Sequence, residues 1–283
     1  MAAFAWVGWF AVALVTLLGD PLVLGGVGLA AYWRDEWRPS IGNRFERDRG
    51  AILLATILGA VALTAVLKAV LAVERPADAS ALPAFDEMPS VLRPIYTWLV
   101  GPGGYAFPSG HAIAATVGWG GVAWLYGDHE WRLGILVTLL VTAVAASRVV
   151  LGVHRPVEVI VGMSLGVAYL LAVVAVLETS RRGFALAGAV GTVGLVIGIL
   201  DRDGMLTASG VLGAAVGWVL LRTATDRRTG IVTVLGLAGL LMLIGVSQDI
   251  ERGILTIVGL LGGALIVATP LFLLENGDKR GDR

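Results

Sequence analysis

The chain has 283 residues, 57% of them hydrophobic and 15% charged, with a mean hydropathy of +0.84. Soluble domains average about 25% charge, so this composition excludes an ordinary water-soluble protein and describes an integral membrane protein. Lys plus Arg and Asp plus Glu balance at 21 each, which argues against a nucleic-acid partner or a polybasic anchor. The absence of Cys excludes disulfides, thiolate catalysis and cysteine-based metal centres.

A helix crosses a bilayer core with about 20 mostly apolar residues. The apolar runs predict nine spans, near 10–33, 50–73, 109–126, 132–150, 156–178, 183–200, 205–222, 231–248 and 253–274. The expected fold is therefore all-α, a polytopic transmembrane helical bundle. In the first run, Gly19-Asp20-Pro21 is a helix-kinking sequence, which leaves residues 4–9 for the membrane interface. No basic stretch precedes that run and no clear small-residue cleavage site follows it, so no cleavable signal peptide is expected.

Retained positive charge marks the cytoplasmic side of a membrane protein. Fourteen of the 21 basic residues fall on one set of loops, among them Arg34, Arg49, Arg132, Arg181, Arg182 and the tail residue Lys279. This count predicts the N terminus outside, the C terminus inside and the loop 74–108 outside. Within that loop, Val91 to Val100 mixes aromatic and aliphatic residues, as expected of a segment lying on the bilayer surface or of a packed lid.

Ionisable residues in or beside apolar spans point to function. Lys68 stands seven residues before Arg75, so a continuous helix would put both on nearly the same face until Pro76 ends it. Snorkelling of two flanking cations is the plainer reading. In Pro108-Ser109-Gly110-His111, a helix start offers backbone N–H groups to an anion, and His111 adds a titratable ring in the first turn. The same residues also make a good helix start with no ligand at all.

The third cluster joins Ser147-Arg148, ending the fourth span, to His154, Arg155, Pro156 and Glu158, opening the fifth. With Pro156 as first helical residue, Glu158 is third, where a carboxylate reaches back and can hold the His154 ring. A ring fixed through one nitrogen presents the other as base or nucleophile. A capped helix beside a chance histidine is the alternative. Charge counting, however, puts all three clusters at one membrane face. Three cations, a helix N terminus, two His and a carboxylate are what phosphoryl transfer needs, without a metal or other cofactor.

In combination these residues resemble the type 2 phosphatidic acid phosphatase superfamily, which includes glucose-6-phosphatase and the vanadium haloperoxidases. Its signature of Lys, six residues and Arg-Pro is matched by Lys68 through Arg75-Pro76, and its Pro-Ser-Gly-His by Pro108 through His111. Its Ser-Arg, five residues, His, three residues and Asp is matched by Ser147-Arg148, His154 and, departing in the last letter, Glu158. The resemblance implies a nucleophilic His154 that forms a phosphohistidine, oriented by Glu158, with His111 as the acid for the leaving oxygen. It implies a phosphate site of Lys68, Arg75, Ser109, Gly110 and Arg148.

On this reading residues 1–49 are an N-terminal span and cytoplasmic loop, 50–178 the catalytic core, and 179–283 a four-span membrane extension with no place in the family pattern. Membrane members of the family commonly have six core helices against five clear spans here, so the segment 4–18 supplies a short sixth or the core is shortened. The expected activity is metal-independent hydrolysis of a membrane lipid phosphate or diphosphate at the outer face. A sugar-phosphate phosphatase is the nearest competitor. A weakly catalytic lipid-binding or lipid-moving relative, motivated by Glu158 and the extra spans, is the reading from a different class.

Overall fold

The computed structural model describes residues 5–37, 44–75, 79, 81–101, 103–128, 130–176, 179–197, 201–223 and 250–281. Among them are ten α-helices and no strand: α1 (Ala5–Thr16), α2 (Pro21–Trp37), α3 (Arg44–Leu71), α4 (Arg93–Val100), α5 (Gly110–Tyr126), α6 (Trp131–Val150), α7 (Pro156–Val176), α8 (Ser180–Ile197), α9 (Arg202–Thr223) and α10 (Ile250–Gly281). The all-α expectation is met. Helices stand where eight of the nine spans were expected, and the ninth, 231–248, lies outside the described residues.

Among the described residues, three helical stretches are long and apolar enough to span a bilayer: Asp48–Leu71, Trp131–Val150 and Pro156–Ala175. A fourth is the bent pair Ala5–Gly19 and Pro21–Asp35, which turns by 46°. The rest fall short for physical reasons. Helix α5 has only 17 residues, and the apolar run Gly253–Ala268 of α10 is also short of a full crossing. Helices α8 and α9 are rich in Gly and Ala and carry Arg181, Arg182, Arg202 and Asp203 in their first turns.

The bend comes where the sequence put it. A short 3₁₀ turn, Leu17–Gly19, ends the first arm, Asp20 is extended, and Pro21 opens α2, where its missing N–H costs nothing. An Asp20 side-chain oxygen accepts from the amides of Leu22 (2.8 Å) and Val23 (3.3 Å), capping α2. The segment 4–9, expected at the interface, enters α1 from Ala5 onward.

Two compact units divide the chain, each assembled from two segments. The first takes Met1–Gly26 and Val70–Ala172, the second Val27–Ala69 and Val173–Arg283. In the first unit α5 is buried over most of its length and is flanked by α6 and α7. Ala112, Ala145 and Val159 form one apolar cluster; Ala115, Val141 and Val144 form another. Small residues set the spacing: a methyl group on Gly162 of α7 would lie 2.8 Å from the Ser109 carbonyl, and one on Gly166 would lie 2.8 Å from Thr116 Cβ. Outward, α6 and α7 expose Leu136, Leu139, Val167 and Leu171. Such a surface suits lipid rather than water, and this is a multi-pass membrane protein.

Close approach through Gly162 makes it a sensitive position. Gly162→Val is expected to lower the midpoint of thermal inactivation in detergent and to destabilise by about 1–3 kcal/mol, the usual cost of overpacking. An unchanged midpoint would mean that α5 and α7 are not held at this distance.

The second unit packs by the same device. Gly213 of α9 faces Leu260 of α10, and Gly217 faces Ala264. Phe184 stacks on Trp218 with ring centroids 4.9 Å apart, and the Tyr32 hydroxyl donates to the Val267 carbonyl.

Candidate active site

Ser109, His111, Arg148, His154, Glu158 and Arg75 all belong to the first unit. Two backbone devices bring them together. At the end of α6, Gly152 adopts φ +74°, the left-handed conformation that favours glycine. The turn lets the amides of Val153 and His154 both donate to the Arg148 carbonyl at 3.2 Å. Five residues separate Arg148 from His154 in the chain, yet the loop folds one back onto the other.

The second device is the start of α7. Pro156 is its first residue, and the Glu158 carboxylate reaches back as the sequence predicted. Oε2 of Glu158 lies 2.8 Å from Nδ1 of His154 and also accepts the Arg155 amide at 3.1 Å. Both side chains are sealed from solvent, at 1% and 2% exposure. A carboxylate that already holds a backbone amide is fixed in place, so it fixes the ring. The Nδ1–H donates to Glu158, since a carboxylate only accepts, and in the neutral ring Nε2 then carries the lone pair. The extra methylene of Glu relative to Asp therefore does not prevent the contact.

Ser109 is tied to the same point, since its amide donates to the Glu158 carbonyl at 3.1 Å. It occupies the N-cap position of α5 with extended backbone, but its side chain makes no capping bond. Its Oγ is buried without a protein partner, and so is Nε of Arg148. Stranded buried polar atoms are costly, and the plain helix-start reading of Pro-Ser-Gly leaves this hydroxyl unexplained. A tetrahedral oxyanion would satisfy both atoms, together with the first amides of α5, which have no acceptor in their own helix.

Arg75 is more engaged than expected. Its guanidinium donates to three carbonyls: Val153 at 2.8 Å, Gly103 at 2.8 Å and Gly104 at 3.1 Å. It thereby binds the loop before α5 to the residue before His154. Burial lowers its pKa from the ordinary arginine value, and the Glu158 carboxylate partly offsets that. A guanidinium has five N–H donors, so three carbonyl bonds leave capacity for an anion.

Lys68 departs from the expectation. Helix α3 ends at Leu71, and Ala72 takes φ +47°, so Lys68 and Arg75 do not share a continuous helical face. The chain is turned out of the helix because residue 73 is pinned elsewhere: the Ala106 amide donates to its carbonyl at 2.8 Å. Lys68 stands in the last turn of α3, within the second unit, whereas Arg75 belongs to the first.

Two contributors escaped the sequence reading. Oδ2 of Asp20 lies 3.8 Å from Nε2 of His111. The available signal was an acid inside an apolar run, read only as part of a kink. The Leu99 carbonyl, ending α4, accepts from Arg148 at 3.4 Å and from the Thr16 hydroxyl at 3.2 Å. A backbone acceptor leaves no trace in side-chain pattern. Helix α4 buries Tyr96, Leu99 and Val100 and exposes Ile95 and Trp98, so the segment 91–100 is amphipathic as expected.

Residues 49–182 match the family model of the PAP2 superfamily, and the matched segment contains every motif residue named above. A curated relative is the undecaprenyl-diphosphatase of Sulfolobus acidocaldarius, 34% identical over 126 residues, which cover 43% of this chain and 53% of the relative. The match thus spans about half the length of that relative. No solved structure matches the chain.

Proposed function

We propose that the protein hydrolyses a phosphate or diphosphate monoester of a membrane lipid, at the extracytoplasmic face, through a phosphohistidine on His154. The observation that carries this reading is the His154–Glu158 pair, with a buried serine hydroxyl and a buried arginine Nε, both lacking protein partners, in the segments bonded to it. Residues 50–178 would form the catalytic core. Attack by Nε2 forms the N–P bond as the P–O bond to the leaving group breaks, an ester bond in a monophosphate and the anhydride bond in a diphosphate, and protonated His111 gives its proton to the leaving oxygen. His111 then takes a proton from the water that attacks phosphorus, and the P–N bond breaks to release phosphate and His154. Arg148, Arg75, Ser109 and the Gly110 amide would hold the phosphoryl oxygens, with Lys68 as a further cation. These protein groups supply the charge stabilisation that a metal provides elsewhere.

A lipid is preferred because the motif-bearing helices are those of a membrane protein, and the name of the Sulfolobus relative makes a polyprenyl diphosphate the first substrate to try. The weakly catalytic alternative rested on Glu158 and the extra C-terminal spans, and the contact with His154 bears against the first of these motives. The outer-face assignment is supported by the charge distribution of the loops.

The test is phosphate release by detergent-purified protein, with EDTA present, from polyprenyl diphosphate, phosphatidic acid, phosphatidylglycerophosphate and glucose 6-phosphate. Release from a lipid substrate is the expected result. Turnover of glucose 6-phosphate alone would replace the lipid reading with a soluble one. Release from none of the four would overturn the proposal.

A further inference from the structure

The break in the first apolar run does more than bend a helix. Its two flanks are fastened to α5 and α6: Trp119 Nε1 donates to the Leu18 carbonyl at 2.6 Å, and Leu24 packs on Gly118. A methyl group on Gly19 would collide with Val144 and approach the His111 carbonyl to 3.0 Å. The chain at the break is therefore held against the first turn of α5, and Asp20 is the acidic side chain it presents there. The two carboxylate oxygens divide their work. Oδ1 accepts the amides of Leu22 and Val23, while Oδ2 faces Nε2 of His111 at 3.8 Å.

We infer that Asp20 is a positioning residue for His111, holding its imidazolium form ready to donate to the leaving oxygen. The inference rests on the phosphatase reading above and extends it to a residue outside the three motifs. A carboxylate beside an imidazole favours the protonated ring. The transferred proton is the one on His111. The charged group set against His111 is Asp20 from the break. Asp20 also acts electrostatically on Arg148 of α6, as Arg75 from the loop after α3 does with the opposite sign, so one carboxylate bears on both the ring and the guanidinium.

Asp20→Asn tests this without dismantling the helix, because Asn caps as well as Asp. The probes are para-nitrophenyl phosphate, whose leaving group needs little acid, and phenyl phosphate, whose leaving group needs more. In kcat/KM, the ratio of the two esters is expected to shift by roughly tenfold against phenyl phosphate, in the direction that His111→Ala shifts it further. The alkaline limb of the phenyl phosphate profile should also move to lower pH. Asp20→Ser, a second capping variant, should repeat both effects. A ratio and a profile like those of the unsubstituted protein, or equal losses on both esters, would reduce Asp20 to a helix cap and overturn the inference while leaving the phosphatase reading intact. Failure of the unsubstituted protein to hydrolyse either ester would overturn both.

Discussion

Phosphate release by the His154→Ala variant is expected to fall by at least about 10⁴-fold, to the level of a protein that binds but does not form the covalent intermediate. Nothing else described near the site can replace it. His111 lies beside a different carboxylate, and the buried pair with Glu158 is what leaves a nitrogen directed away from its own support. Glu158→Gln should also lose heavily, about 10⁴-fold, because an amide in place of the carboxylate removes the stabilising charge and favours the wrong ring tautomer. The measurement is single-turnover release from polyprenyl diphosphate, with acid-labile phosphate on the protein followed in parallel. Labelled phosphoprotein should appear in the native enzyme and be absent from His154→Ala. Full activity in His154→Ala would remove the histidine mechanism.

Arg148→Met should separate activity from stability, in opposite directions. The guanidinium is almost wholly buried, meets the Leu99 carbonyl at only 3.4 Å, and has an unsatisfied Nε. In the absence of substrate this is a poorly compensated buried charge, and replacing such a charge by an apolar chain of similar length often stabilises by about 1–4 kcal/mol. With substrate, the same guanidinium would hold a phosphoryl oxygen, so its removal should cost about 10³-fold in kcat/KM. Thermal inactivation of the empty variant should therefore shift upward while turnover collapses. A downward shift would mean that Arg148 is held by structure rather than reserved for an anion.

Much of this site was legible in the sequence because helix starts follow strict local rules. Pro156 at the first position of α7 forces Glu158 to the third, and the third position points back at the preceding loop; the contact with His154 needed no tertiary information. The bend at Gly19-Asp20-Pro21 was legible for the same reason. What failed was extrapolation along a helix. Seven residues place Lys68 and Arg75 on one face only while the helix continues, and a tertiary bond from Ala106 to residue 73 ends it early. The neighbourhood of Asp20 and His111 joins residues far apart in the chain, and only packing reveals it.

The single oxygen of Glu158 that accepts both the His154 ring and the Arg155 amide has an evolutionary consequence. Drift at this position cannot exchange catalysis for robustness, because any replacement that fails to reach back loses the ring and the start of the helix in one step. Selection for folding alone would preserve it through periods when activity went unused. Lineages that abandoned the reaction should therefore keep an acid at 158 long after losing the histidine at 154.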